Sequence, residues 1–340
     1  MGHQIAVGFV AGLAAALVYS AVSTGTLAAF ILFYVASLPL FIAGLGWGWA
    51  TAGLAAIIGV VATAIAIGPL GGLVFLLAVG APAAWLSYLA GLSHPTQGAP
   101  GARQEWYPTG HLIAWTSAIG GALILPTVAA FGFSLEAYET SIRAVFDRLI
   151  SDGAATPSAE LPPGFDAERL AALFVRYMPP VSTILWMATT LANMYVAARV
   201  VLISGRLRRP WPQVMRFELP NGLAVALAAA LVASFLPGLA GMIAGAFAAG
   251  FVFAYALLGL AILHVVTQPS PARPLLLGAV YFALVFLGWS ETVLSWTGAA
   301  LAMLGLAEPA LNLRARISAR MKGRGGPPAP GNDNSNSGSG

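Results

Sequence analysis

The 340-residue chain is 59% apolar and only 8% charged, with a mean hydropathy of +0.83, whereas a soluble domain carries about 25% charged residues, so a soluble surface is excluded. Cysteine is absent, which removes disulfides, thiolate metal sites and cysteine nucleophiles. The formal charge of +4 comes from short basic clusters beside apolar runs, where arginine orients a chain in a membrane, and implies no nucleic-acid partner.

Residues 1–102 contain no Asp, Glu, Lys or Arg. A signal peptide has an apolar core of about 7–15 residues behind a basic start, so this stretch reads instead as several spans lying in lipid. In chain order, apolar runs fall at 4–22, 26–44, 47–67, 70–92, 110–133, 179–203, 221–237, 239–266, 275–289 and 293–307. A helical crossing needs about 20 such residues. Gly44, Gly48, the pair Gly68-Pro69 and the pair Pro237-Gly238 punctuate the joints. The predicted fold class is an all-α polytopic transmembrane helical bundle of ten spans. It divides into N-terminal membrane helices over 1–133, an extracytoplasmic amphipathic region over 134–178, C-terminal membrane helices over 179–310, and a basic segment with a disordered tail over 311–340.

The region 134–178 carries seven acids against four arginines. Leu135, Tyr138, Ile142, Val145, Phe146 and Leu149 recur there at helical spacing, with Ser134 placed as the N-cap. After Asp166 the pattern returns in Leu170, Leu173, Phe174 and Tyr177. Two short helices on the membrane surface are expected, joined by the Pro-rich "TPSAELPPG". The tail from Gly323 holds nothing able to anchor a core.

Charge then sets direction. Arg206, Arg208, Arg209 and Arg216 follow the sixth run; Arg314, Arg316, Arg320, Lys322 and Arg324 follow the last. The positive-inside rule makes both segments cytoplasmic. Arg206, Arg208, Arg209, Arg316, Arg320 and Lys322 are thus candidates for contact with lipid or a partner, and 311–324 should hold to the inner leaflet. Glu291 is the one charged residue of the run 275–307. Only a hairpin turning at 288–291 leaves both basic segments inside, and counting back places the N-terminus inside too.

Four residues are candidates for substrate binding. Glu291 is either an intramembrane functional carboxylate, which insertion costs make rare outside functional sites, or a polar turn residue. Thr189, Thr190 and Asn193 either line a cavity or supply an interhelical hydrogen bond. Arg199 is expected to snorkel to headgroups. His3, His94, His111 and His264 lack ligand spacing, so neither metal nor cofactor is expected. The Walker pattern is absent and no catalytic constellation stands out, so the chain does not read as an enzyme. Gly8/Gly12 and Gly241/Gly245 have the spacing of close helix contacts.

The segments "LANMYVAARVVLISGRLRRPWPQVMRFELP" (191–220) and "LGLAEPALNLRAR" (304–316) resemble the bacterial integral membrane-protein family typified by YybS. The matching positions are Asn193, Arg199, Pro220, Gly305, Glu308 and Arg314, while Asn312 stands where the pattern favours an acid. The family has no established activity. Its spans are similar to the substrate-binding S components of energy-coupling-factor vitamin transporters and, more loosely, to a rod-shape envelope protein. In the S components an Ala-x-x-x-Ala on the first helix contacts the coupling subunit, and Ala11/Ala15 has that spacing. The resemblance implies a multi-pass protein of the bacterial cytoplasmic membrane, a small-solute binding or transport subunit working with an ATPase partner or an ion gradient. The alternative is an envelope scaffold or assembly protein acting through its loops.

Overall fold

The computed structural model describes residues 2–95, 104–151, 167–212, 215–285 and 291–316. Two compact units emerge, Met1–Ala254 and Tyr255–Gly340. Among the described residues, seven helices are long and apolar enough to cross a membrane: Gly2–Thr24, Leu27–Trp47, Trp49–Ile67, Pro69–Gly91, Thr109–Ala130, Ala172–Ile203 and Gly238–Val266. Of the other three expected runs, two fall on shorter apolar helices, Gly222–Ala233 and Arg273–Val285, and the third on Glu291–Leu311. Large apolar side chains face outward, Leu17 being 73%, Ile65 81% and Phe235 89% exposed, while Thr63, Thr116, Ser117 and Asn193 are buried. That inversion suits a chain whose solvent is hydrocarbon. This is a helical membrane-protein fold.

In the first unit, α1 (Gly2–Ser20) lies along α4 (Trp49–Ile67). Small residues permit the approach: a Cβ on Gly12 would come within 2.5 Å of the Ala55 carbonyl oxygen and 2.8 Å of Ile58 Cβ. Gly8 faces Thr51 and Leu54 in the same seam. Gly241, by contrast, abuts the carbonyl of Leu236 in its own turn, and Gly245 faces open space. The expected contact therefore holds for the first glycine pair and fails for the second. Ala11 and Ala15 are buried in the core with Leu40, Phe41, Phe75 and Leu86, so their spacing serves the interior of the unit and offers no surface to a partner.

The second expected span is two helices, α2 (Leu27–Tyr34) and α3 (Leu38–Trp47). Thr26 caps α2, its hydroxyl accepting from the Ala29 N–H at 3.2 Å. The fourth is α5 (Pro69–Phe75), a single π turn over Leu76–Gly80, and α6 (Ala81–Gly91). A two-stranded hairpin, β1 (Ser93–Pro95) against β2 (Gln104–Trp106), leads into α7 (Thr109–Ala122) and α8 (Ile124–Ala130).

Helix α9 (Leu135–Ser151) is capped by Ser134, whose hydroxyl accepts from the Ala137 N–H at 3.1 Å. Tyr138 is its buried anchor, edge-on to Phe131. The second surface helix expected after Asp166 is not separate. Residues 167–178 are the opening turns of α10 (Ala167–Ile203), which continues through Pro179 and Pro180. Proline removes a donor but not the option of helix, and in an apolar surrounding an outright break would leave more backbone groups unpaired. At 37 residues, α10 is about 55 Å long.

Several ends meet at one pole of this unit. The His3 ring lies 6.0 Å from that of Trp47, and the Arg206 guanidinium sits 4.9 Å above the same indole. Trp49 meets Tyr88 edge-on. The start of α1, the end of α3, the start of α4, the end of α6 and the segment after α10 therefore share that pole.

From Asn221 the chain enters α11 (Gly222–Ala233) and then α12 (Gly238–Val266), which continues into the second unit. The second unit also holds α13 (Arg273–Val285) and α14 (Glu291–Leu311), which touch one another. Gly305 packs on the Tyr255 carbonyl and Gly259 on that of Leu301. The expected turn residues 288–290, the Pro-rich "TPSAELPPG", Arg320, Lys322 and the tail from Gly323 lie outside the described residues.

Candidate functional site

A cavity of about 220 Å³ lies within the first unit, bounded by Phe33, Tyr34, Ser37, Val79, Trp186 and Thr190, with Ala78, Ser182, Leu185 and Thr189 completing it. Two of its walls are places where a helix departs from regular α geometry. Pro39 sits at the start of α3, and before it the Leu38 N–H reaches back only to Val35 O, at 3.0 Å. The carbonyl of Tyr34 is thereby left without its helical donor. Asn193 supplies one: its Nδ2 donates to Tyr34 O at 2.7 Å and to Ser37 Oγ at 2.9 Å.

The opposite wall repeats the device. Pro82 has no N–H to offer Ala78 O, the chain relaxes into the π turn, and Trp186 Nε1 donates to that oxygen at 2.7 Å. π turns inside α-helices frequently mark functional positions. In α10 the Pro179 carbonyl accepts from the Ser182 hydroxyl at 2.9 Å. The two repaired carbonyls, Tyr34 O and Ala78 O, thus lie beside one cavity.

Three hydroxyls there remain uncommitted. Ser37 accepts from Asn193 but has no acceptor for its own proton, and neither Tyr34 Oη nor Thr190 Oγ1 bonds to another side chain or carbonyl among the described residues. Thr190 is only 4% exposed, yet its hydroxyl is not sealed off, since it borders the cavity. No Asp, Glu, Lys, Arg or His is among the lining residues. The arrangement can receive a small uncharged molecule, offering hydroxyl donors and acceptors together with the Phe33 and Trp186 rings.

Of the four expected binding residues, Thr189 and Thr190 line this cavity. Thr189 spends its hydroxyl on Leu185 O or Trp186 O, at 2.9 and 3.0 Å. Asn193 stands behind the wall and holds it, so its interhelical bond is what the side chain does. Glu291 belongs to the second unit as the first residue of α14, and its side chain lies outside the described residues. Tyr34, Ser37 and Trp186 were not singled out from the sequence, although Pro39 and Pro82 inside apolar runs were the available signal.

Among the basic candidates, Arg206 lies over Trp47, Arg208 and Arg316 are exposed, and Arg209 turns inward to donate from Nη2 to Thr109 Oγ1 at 3.1 Å. Burial pushes the Arg209 guanidinium below its ordinary pKa. Arg199, expected to snorkel, sits 4.7 Å from the Trp211 ring centre. Among the described residues no three His, Asp or Glu side chains assemble as metal ligands.

The class that fold and site define is a polytopic helical membrane protein with a small uncharged internal cavity. No family model, no curated protein and no solved structure matches the chain.

Proposed function

We propose that the first unit binds a small uncharged solute in the cavity between the α2–α3 break, the π turn and α10, and that the protein is a binding or transport subunit of a cytoplasmic membrane. The observation that carries this reading is the set of unbonded hydroxyls on Tyr34, Ser37 and Thr190, the last two buried, beside an interrupted helix. Irregular backbone at membrane depth is tolerated where it is buried in protein or lines a cavity, and discontinuous helices are where transporters build their substrate sites. Work against a gradient then needs an ATPase partner or an ion gradient, because the chain has no Walker pattern.

The accompanying topology is ten spans with both ends cytoplasmic. The shared pole of His3, Trp47 and Arg206 supports it.

Native mass spectrometry of the protein released from its membrane tests the reading. A small-molecule adduct is expected on the native chain, with affinity reduced about 3- to 10-fold in Thr190→Val, the cost of one ordinary hydrogen bond. An adduct held equally by Thr190→Val and Ser37→Ala, or a chain carrying only lipid, would contradict it. Stoichiometric envelope proteins in place of a solute would favour the scaffold reading.

A further inference from the structure

A second, larger cavity opens at the pole that gathers the start of α7 and the segment after α10. Its volume is about 700 Å³, and its lining includes His111, Arg209, Arg216, Glu218 and Asn221. Arg209 and Arg216 both belong to this lining, and neither has a carboxylate within ion-pair distance among the described residues. Arg216 is exposed, but Arg209 is partly withdrawn from water. Its Nη2 is bonded to neutral Thr109, and its Nη1 is sealed from solvent without a partner. His111 Nδ1 is sealed and unpartnered as well. Glu218 is the opposing charge in the lining; its side chain is exposed. A partly buried guanidinium with no anion is an unbalanced arrangement, since the desolvation cost of the charge is not offset.

The walls are fixed rather than incidental. Gly110 packs directly on the carbonyl of Glu218, so no larger residue fits there, and the contact pins the 217–220 backbone to α7. Pro108 and Asn221, which precede α7 and α11, provide no side-chain cap, and both border the cavity. The amide donors of two helix starts thereby add to the field that the arginines set up.

We propose that this cavity binds a phosphate-bearing anion, with Arg209 and Arg216 as its charge partners and Asn221 as a neutral donor. Guanidinium matches phosphate oxygens in pairs, a geometry an ammonium does not reproduce. The phosphate can come from an anionic lipid headgroup or from a soluble phosphorylated molecule, and the two sources are separable. The site is independent of the solute cavity, so the fate of one does not decide the other.

The test uses the full chain in nanodiscs, titrated with inorganic phosphate, and in detergent, titrated with phosphatidylglycerol or phosphatidylcholine and read by native mass spectrometry. One phosphatidylglycerol should be retained in preference to phosphatidylcholine, and binding should fall about tenfold or more in Arg209→Gln, the scale of a lost charged hydrogen bond. Arg209→Lys should recover only part of it. Displacement of the lipid by inorganic phosphate assigns a soluble source, and lipid retention without phosphate binding assigns the headgroup. If Arg209→Gln fails to fold, Arg216→Gln, on an exposed side chain with no bond to lose, carries the same comparison. Equal retention of both lipids with no phosphate binding, or binding unchanged in both glutamine variants, would overturn the proposal.

Discussion

Single side chains in this protein repair backbone that proline leaves open. Asn193 and Trp186 do so inside the first unit, each bonding a carbonyl that has lost its helical partner. An unsatisfied buried carbonyl costs about 1–3 kcal/mol, which is enough to explain a buried amide in an apolar span without assigning it to substrate. Glu308 does the converse at the end of α14, taking up backbone donors. Its carboxylate accepts from the Leu313 N–H at 3.1 Å, the Arg314 N–H at 3.3 Å and Arg314 Nε at 2.8 Å. Asn312, at φ 48°, makes the reversal that brings Arg314 back to Glu308. The charge pair at this end is therefore formed without an acid at 312. Tyr138 offers a pH test at the same scale. Burial raises its phenol above the ordinary value, so the neutral form is the one that folding favours. Its contribution is complete below a pH of about 10 and is lost as pH rises through the raised pKa. Circular dichroism in alkali should show helix lost over that range in the native chain and retained in Tyr138→Phe. Identical profiles would mean that α9 does not dock through this residue.

At the scale of elements, packing of α1 on α4 rests on the absence of side chains. Gly12→Leu should destabilise the first unit by about 1–3 kcal/mol or more through overpacking, because the displaced atoms are backbone and a β-carbon. Gly245→Leu, with nothing near its Cβ, should leave the thermal midpoint unchanged. Equal effects would place the seam elsewhere. The pair α13 and α14 bears on direction. Under the ten-span topology, a cysteine at Ser290→Cys reacts with an impermeant thiol reagent from outside intact cells. Labelling that requires permeabilisation would reverse the assignment. These elements differed in how plainly the sequence announced them. Apolar runs, the Ser134 cap and the Gly joints were legible because length, capping chemistry and missing Cβ atoms act locally. The break after Tyr34 and the π turn before Ala81 were not, since Pro39 and Pro82 are equally compatible with the first turn of a helix. The continuation of α10 through Pro179 was hidden for the opposite reason: two prolines in succession look like an end.

For the molecule as a whole, a helical membrane fold was readable from low charge content and the length of the apolar runs, whereas the cavity was not. Its walls come from positions as far apart as Tyr34, Ala78 and Thr190, and nothing in local composition brings them together. Thr189 and Thr190 were visible as polar residues inside an apolar run. Their neighbours Phe33, Ser37 and Trp186 became functional only through packing. The same holds at the pole, where Arg209 looked like one more headgroup contact until Thr109 and Glu218 were seen around it.

The central claim is that an accessible polar cavity lies at Thr190 among the buried helices of the first unit. The chain has no native cysteine, so Thr190→Cys and Ala197→Cys can be compared directly in native membranes. Ala197 is fully buried on the same helix. A small thiosulfonate should modify the cysteine at 190 and spare the one at 197, and a reagent too bulky for about 220 Å³ should spare both. Equal reactivity at the two positions, or none at 190 with any reagent, would contradict the account.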